Sequence, residues 1–451
     1  MKILFYVEPH GLRDSFTSHK MPFDQFRAIA REINYFGDEI LQDVEARVFS
    51  NHFVSTVGFD ANYEDWPFIL QPTLAEQEMI EDTARMWMGQ GIKDWITLMT
   101  EPQSPLTQAY VDILRRIKET EFDFDVIVCW GESMPVREAA REFGAQVAFF
   151  ELASMRAPFL KSLLIDPMGV NGSASIADME IGQLREILKP LHLRLLPMLL
   201  NEEMAIGVQN TVIPNALFHP MGQAMRAFFD RPGRKALVPL QLADDANQIL
   251  YSDFDTVEAF AAATVEPLLQ AGFHVILKPH PHALLRGGYV MNEQRKVIEK
   301  YRKQSEILVL EENSDPNEYL PMLKAVDLVV TNNSSVGFEA LMLETPVVVM
   351  GRACYAPKGG LPSLTEAIRC FVDAELDAQF KQNRRYIATY MLACAFPLQR
   401  RLGLELVKRL KIWREHPQLE EFGWVREMLE GVAWDTWGQR DFLRKAIGVA
   451  V

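Results

Sequence analysis

Residues 327–350 read DLVVTNNSSVGFEALMLETPVVVM. Two short β-branched runs, Leu328–Thr331 and Pro346–Met350, flank a helical stretch at Gly337–Leu343. That stretch is preceded by Asn332, Asn333, Ser334 and Ser335, residue types that favour a helix start. A strand, a helix and a second strand in so short a span carry the signature of parallel strands joined by a crossover. The same alternation runs backwards from this unit. Ala236–Leu242, His274–Lys278 and Ile307–Leu310 read as strands. Thr256–Gln270, Glu293–Lys303 and Asn317–Ala325 read as the helices between them.

Residues 231–370 are therefore expected to form a Rossmann-like domain. Upstream, Phe229–Lys235 (FDRPGRK) clusters Asp, Pro and Gly and reads as an interdomain linker. Residues 1–230 then form a second α/β domain. Its strands are expected at Lys2–Val7, Val44–Ser50, Val126–Trp130 and Gln146–Phe150, and its helices at Phe23–Tyr35, Ala75–Met88 and Leu106–Glu119. The Gly-, Pro- and Ser-rich stretch Leu152–Ala177 reads as loop, followed by a helix near Ile181–Leu191. From about Phe371 the strands stop, and residues 371–451 read as a helical tail. The expected architecture is α/β of the GT-B type: two Rossmann-like domains with parallel sheets facing a cleft, plus that tail.

Composition narrows the function. A net charge of −15 argues against a nucleic-acid partner, which would need a broadly positive surface. The four cysteines, Cys129, Cys354, Cys370 and Cys394, are scattered without a CxxC, which suits a reducing cytoplasm and gives no zinc framework. The nine histidines show no HExxH, so neither a metal site nor a cofactor is expected. No run of about 18 apolar residues marks a spanning helix. The opening MKILFYVEPHG reads as a buried strand, not a signal peptide.

Four segments can carry chemistry. Lys278-Pro279-His280-Pro281-His282 follows a strand, at the end of a parallel sheet where ligands bind. Its prolines stiffen the loop, and the His280 imidazole can donate to a departing phosphate. Asn333, Ser334, Ser335 and Glu339 surround a helix start whose free N–H groups and dipole attract an anion. Glu339, one turn further in, can accept from ribose hydroxyls; equally, Ser334 or Ser335 can be an ordinary helix cap. Gln241-Leu242-Ala243-Asp244-Asp245 ends a strand with adjacent carboxylates, suited either to base or nucleophile chemistry or to capping a turn. Glu151 and Arg156, in ELASMR ahead of DPMGVN (166–171), can supply an acid/base group and an anion clamp, or a salt bridge holding a loop.

Weaker candidates are Glu8, His10 and Arg13 after the first strand, and Tyr355 and Lys358 after the last. Trp424, Trp434 and Trp437 are most simply core aromatics. Residues 398–413 (LQRRLGLELVKRLKIW) form a basic amphipathic helix. Such a helix lies on anionic lipid or packs on its own protein.

These segments, in this order, resemble those of bacterial capsule and lipopolysaccharide β-Kdo glycosyltransferases, the capsule polysaccharide biosynthesis group. The resemblance covers roughly residues 145–362. The HP and paired-serine motifs also resemble those of bacterial sialyltransferases, which likewise use a CMP-activated acidic sugar. What the resemblance implies is a CMP-Kdo donor with His280, Ser334 and Ser335 on the phosphate and Glu339 on the ribose. It further implies retention through an adduct on Asp244 or Asp245, with Glu151 moving the proton to or from a glycan or lipid-linked acceptor. CDP-glycerol glycerophosphotransferases share the HP motif and the paired serines and are the nearest alternative. A non-catalytic partner of a polysaccharide assembly complex is the alternative of another class. The expected location is cytoplasmic, with peripheral contact to the inner membrane through the basic helix 398–413.

Overall fold

A computed structural model describes residues 1–9, 19–56, 67–85, 92–153, 163–189, 220–283, 288–310, 316–395 and 401–431. The chain divides into two compact units. One comprises Met1–Glu151, Leu163–Val170 and Pro397–Thr436; the other comprises Leu152–Ser162, Asn171–Phe396 and Trp437–Val451. The chain thus changes unit near residues 151, 163, 171, 397 and 437. FDRPGRK, expected to be the linker, instead joins a helix, Gln223–Phe229, to a strand inside the second unit. Its Pro and Gly serve a tight reversal rather than a domain boundary.

The first unit is built on six strands: β1 (Lys2–Tyr6), β2 (Glu45–Phe49), β3 (Ile69–Leu70), β4 (Val126–Trp130), β5 (Gln146–Leu152) and β6 (Leu163–Asp166). Their order is β3-β2-β1-β4-β5-β6, and the pairings among β1 to β5 are parallel. Strand β6 falls in the stretch expected to be loop. Its four residues are all buried, but Pro167, Gly169 and Gly172 beside so short a run obscure it in sequence. The helix Lys20–Tyr35 turns Phe23, Phe26, Ile29, Ala30 and Ile33 inward, the spacing of one helical stripe. Phe26 meets the rings of Phe5, Trp130 and Phe150 at centroid distances of 4.8, 5.6 and 5.3 Å.

The region from 371 onward is shared between the units. Helix Ala374–Tyr390 belongs to the second, whereas Leu402–Glu415 and Gly423–Gly431 belong to the first. Helix Leu402–Glu415 begins on Glu32, whose carboxylate accepts from the Gly403 and Leu404 amides at 3.0 and 3.1 Å. Its Leu402, Leu406, Val407, Leu410 and Trp413 are buried, and Arg409 is buried against Glu405 at 2.6 Å. The apolar side that a lipid contact would need is packed on protein. Among the described residues no helix is long and apolar enough to cross a membrane.

The second unit carries β7 (Lys235–Pro239), β8 (His274–Lys278), β9 (Ile307–Val309), β10 (Leu328–Thr331) and β11 (Val347–Val349). They form an all-parallel sheet in the order β11-β10-β7-β8-β9. Central β7 is buried at all five positions, as expected for a strand covered on both faces. Its side chains join Val257, Phe260, Val265, Leu268, Val275, Leu277 and Val297 in one core. Both sheets show the Rossmann strand order.

Candidate functional site

In the second sheet the chain builds outward from β7 through β8 to β9, then returns to the other side as β10 and β11. The reversal lies between β7 and β10. Loops leaving such a switch point diverge and open a crevice at the carboxyl ends of the strands. Three expected segments leave the sheet here, since β8, β7 and β10 are neighbours. They are Lys278–His282, Gln241–Asp245 and Asn332–Ser335.

A chain of buried amides ties them together. The His280 amide donates to Gln294 Oε1 at 2.8 Å, and Gln294 Nε2 donates to the Gln241 carbonyl at 3.0 Å. Gln241 Nε2 donates to Asn333 Oδ1 at 2.6 Å, while its Oε1 accepts from the Asn333 amide at 3.0 Å. Asn333 Nδ2 then donates to the carbonyls of Asn247 and Tyr251 at 2.9 and 3.1 Å. Asn333 is thus tied into the scaffold through both ends of its side chain. Gln294 carried no motif signal. The one clue in sequence is an amide on the inward stripe Val290, Gln294, Val297, Tyr301, where an apolar residue is the rule.

His280 is half-buried, and its Nδ1 accepts from the His282 amide at 3.1 Å. That bond makes Nδ1 the acceptor, so the neutral ring carries its proton on Nε2 and can donate from there. His282 is exposed, its ring centroid 5.5 Å from that of His280. The Lys278 ammonium lies over the Tyr319 ring, 5.6 Å from its centroid. The Tyr319 hydroxyl donates to Glu339 Oε2. Glu339 is only 2% exposed, so its charge rests on such bonds. Tyr319 was not visible as a site residue in sequence, because nothing there shows that residues 278, 319 and 339 meet. If Glu339 takes ribose hydroxyls, as the resemblance implies, Tyr319→Phe is expected to weaken nucleotide affinity by about 10-fold, the loss of one hydrogen bond to a charged group. Calorimetric titration of the variant checks it, and an unchanged affinity would count against Glu339 as a ligand.

Ser334 is the N-cap of helix Ser335–Met342, and its hydroxyl accepts from the Val336 amide at 3.4 Å. Ser335, the first helical residue, is half-buried. Tyr355 does not lie over the site. It is fully buried beneath the helix and donates to the Ser334 carbonyl. Burial, with the nearby Cys354 and Glu339 groups, pushes its phenol well above the usual range and keeps it a donor. Lys358 pairs with Asp178 at 3.3 Å. Asp245 caps the helix Ala246–Tyr251, accepting from the Asn247 amide at 2.9 Å. Its neighbour Asp244 is 5% exposed.

In the first unit, Glu151 sits half-buried at the end of β5. Glu8, past β1, is buried and accepts from the Tyr6 hydroxyl at 3.2 Å and the Ser133 hydroxyl at 3.3 Å. Strands β1 and β4 flank the switch point of this sheet. Glu132, after β4, pairs with Arg137 at 2.7 Å and accepts from the Val170 amide at 3.0 Å. Burial raises the Cys129 thiol well above its usual range, helped by the charges of Glu8, Glu132 and Glu151. In DPMGVN, Asp166 accepts from the Met168 and Gly169 amides at 2.8 and 3.3 Å, so this carboxylate forms a turn. Arg156, His10, Arg13, Trp434 and Trp437 lie outside the described residues, while Trp424 is core. Among the described residues no group of three or more His, Cys, Asp or Glu is placed to hold a metal ion.

Residues 219–389 match the family model "Capsule polysaccharide biosynthesis protein". That match spans less than half of the chain and lies within the second unit. No curated protein matches the chain. Among solved structures, the chain is similar to the β-Kdo 2,4 transferase of Thermosulfurimonas dismutans KpsC, at 18% identity and a TM-score of 0.37, covering 59% of this chain and 79% of that one. It is also similar to UDP-GlcNAc 2-epimerase from Neisseria meningitidis bound to UDP-GlcNAc, at 12% identity and a TM-score of 0.31, covering 87% and 98%. A third similar structure is S. aureus MnaA with UDP, at 12% identity and a TM-score of 0.36, covering 92% and 97%.

Proposed function

We propose that the chain is a glycosyltransferase that moves an acidic sugar, Kdo, from CMP-Kdo to a bacterial cell-surface glycan or glycolipid. One observation supports this above the rest: the ends of three adjacent parallel strands bring His280, Asp244 and the Ser334–Ser335 helix mouth to one braced sheet edge. A phosphate there would receive a hydrogen bond from His280 Nε2–H and donors from the helix start, with Lys278 supplying charge. Glu339 would take the ribose hydroxyls.

The reaction follows from those roles. Asp244 attacks the anomeric carbon of Kdo, forming a glycosyl ester as the bond to the CMP phosphate breaks. The negative charge developing on that phosphate is met by His280 and the serine helix. The acceptor hydroxyl, losing its proton to a general base, then displaces Asp244, so the anomeric configuration is retained over two inversions. Asp244 is preferred to Asp245 because an oxygen of Asp245 is committed to its helix cap. Arg156 would clamp the sugar carboxylate.

Purified protein is expected to bind CMP with EDTA present, read by calorimetry. Clear binding of UDP or CDP-glycerol with none of CMP would sink the donor assignment. Incubation with CMP-Kdo generated in situ, followed by intact-mass spectrometry, is expected to show a protein adduct of one Kdo. That adduct should be absent in Asp244→Asn and present in Asp245→Asn.

A further inference from the structure

We infer that Gln294 is a positioning residue for the donor site, setting the distance between the His280 imidazole and the Ser335 helix mouth. The inference rests on the donor-site reading above and adds to it a residue that no motif marks. In Pro279-His280-Pro281 the two prolines carry no N–H, so the His280 amide is the single backbone donor of that segment. Gln294 takes that donor at 2.8 Å. The prolines stiffen the loop internally, and this bond ties it to the helix Gly288–Tyr301.

Gln294 is 2% exposed and occupies a position on its helix that Val290, Val297 and Tyr301 fill with apolar groups. An amide there costs desolvation unless every polar atom is used, and both ends of this one are. Packing alone would be served as well by leucine or methionine. What the amide adds is connection. Its Nε2 holds the Gln241 carbonyl, and the Gln241 side chain makes a two-bond match with Asn333, two residues before Ser335. The brace therefore crosses the ends of β8, β7 and β10 and joins one anion-facing loop to the other. Small errors in such placement cost rate far more than they cost stability.

The test uses the full chain with Gln294→Met, which keeps length and removes both hydrogen bonds. Hydrogen exchange of the unliganded protein is measured alongside steady-state kinetics. The His280 and Asn333 amides are both expected to exchange faster, while the thermal midpoint moves by only a few degrees. Turnover is expected to fall by about 10- to 100-fold, with KM for the donor changed less than about 3-fold. In a His280→Ala background, Gln294→Met is expected to lower turnover no further, because its effect passes through that imidazole. Gln294→Glu keeps an acceptor for the His280 amide and is expected to restore protection there but not at Asn333. An Asn333 amide that stays protected in Gln294→Met, or losses that multiply in the double variant, would overturn the inference. If the wild type fails to turn over CMP-Kdo, the exchange result still decides the brace and only the donor reading falls.

Discussion

Replacing His280 with alanine is expected to lower sugar transfer by on the order of 100- to 1000-fold while leaving the fold intact. The reason is local. His280 is half-buried in a loop whose backbone is held from outside, by Gln294 on its amide. Its Nδ1 accepts from the His282 amide within that loop. Loss of the ring removes that bond and the Nε2–H donor, but it opens no cavity in the core. The loss should appear mainly in turnover, since a donor aimed at developing phosphate charge does more in the transition state than in the ground state. His280→Gln, which keeps an N–H donor on a shorter reach, should recover part of the rate. Wild-type turnover in His280→Ala, measured on protein with an unchanged circular dichroism spectrum, would reduce the KPHPH loop to a rigid turn.

The second large effect is expected at Gly337, on stability. A Cβ at this position would overlap the Tyr355 hydroxyl and lie 2.9 Å from Tyr355 Cζ and 3.0 Å from Thr331 Cγ2. Tyr355 cannot swing away, because it is fully buried and its hydroxyl donates to the Ser334 carbonyl. Gly337→Ala must therefore displace the helix Ser335–Met342 or break that bond. Overpacking of this kind costs about 1–3 kcal/mol. An unmet buried hydroxyl adds about 1–3 kcal/mol. The variant should show a lowered unfolding transition in urea and weaker nucleotide binding together, because the glycine lies under the serine helix mouth. Pairing it with Tyr355→Phe removes the overlapping oxygen and should restore part of the stability. No recovery in that double variant would mean that Thr331, not Tyr355, sets the limit.

Much of this was legible in the chain. The repeat of β-branched runs and helical stretches from 236 to 350 has one physical solution, a parallel sheet covered by helices, and the structure has it. KPHPH and TNNSSVGFEA each follow a strand, and parallel strands put every such segment at one edge. Which strands are neighbours was not legible: β8, β7 and β10 adjoin only because the sheet grows outward from β7 in both directions. Two adjacent aspartates look alike in sequence; the structure shows that Asp245 caps the helix Ala246–Tyr251, accepting from the Asn247 amide at 2.9 Å. Strand β6 was hidden because four buried residues are too few for a periodic signal among prolines and glycines.

Local order, then, came from the sequence alone: periodicity and turn chemistry act over a few residues, and they placed the strands of the second unit and most of the helices between them. Long-range assignment came only with the tertiary structure. Helix Leu402–Glu415 joined the first unit because Glu32, some 370 residues earlier, caps it. Gln294 and Tyr319 entered the site because folding carried them to it. Such contacts depend on how sheets and helices stack, and no local pattern of residues encodes that.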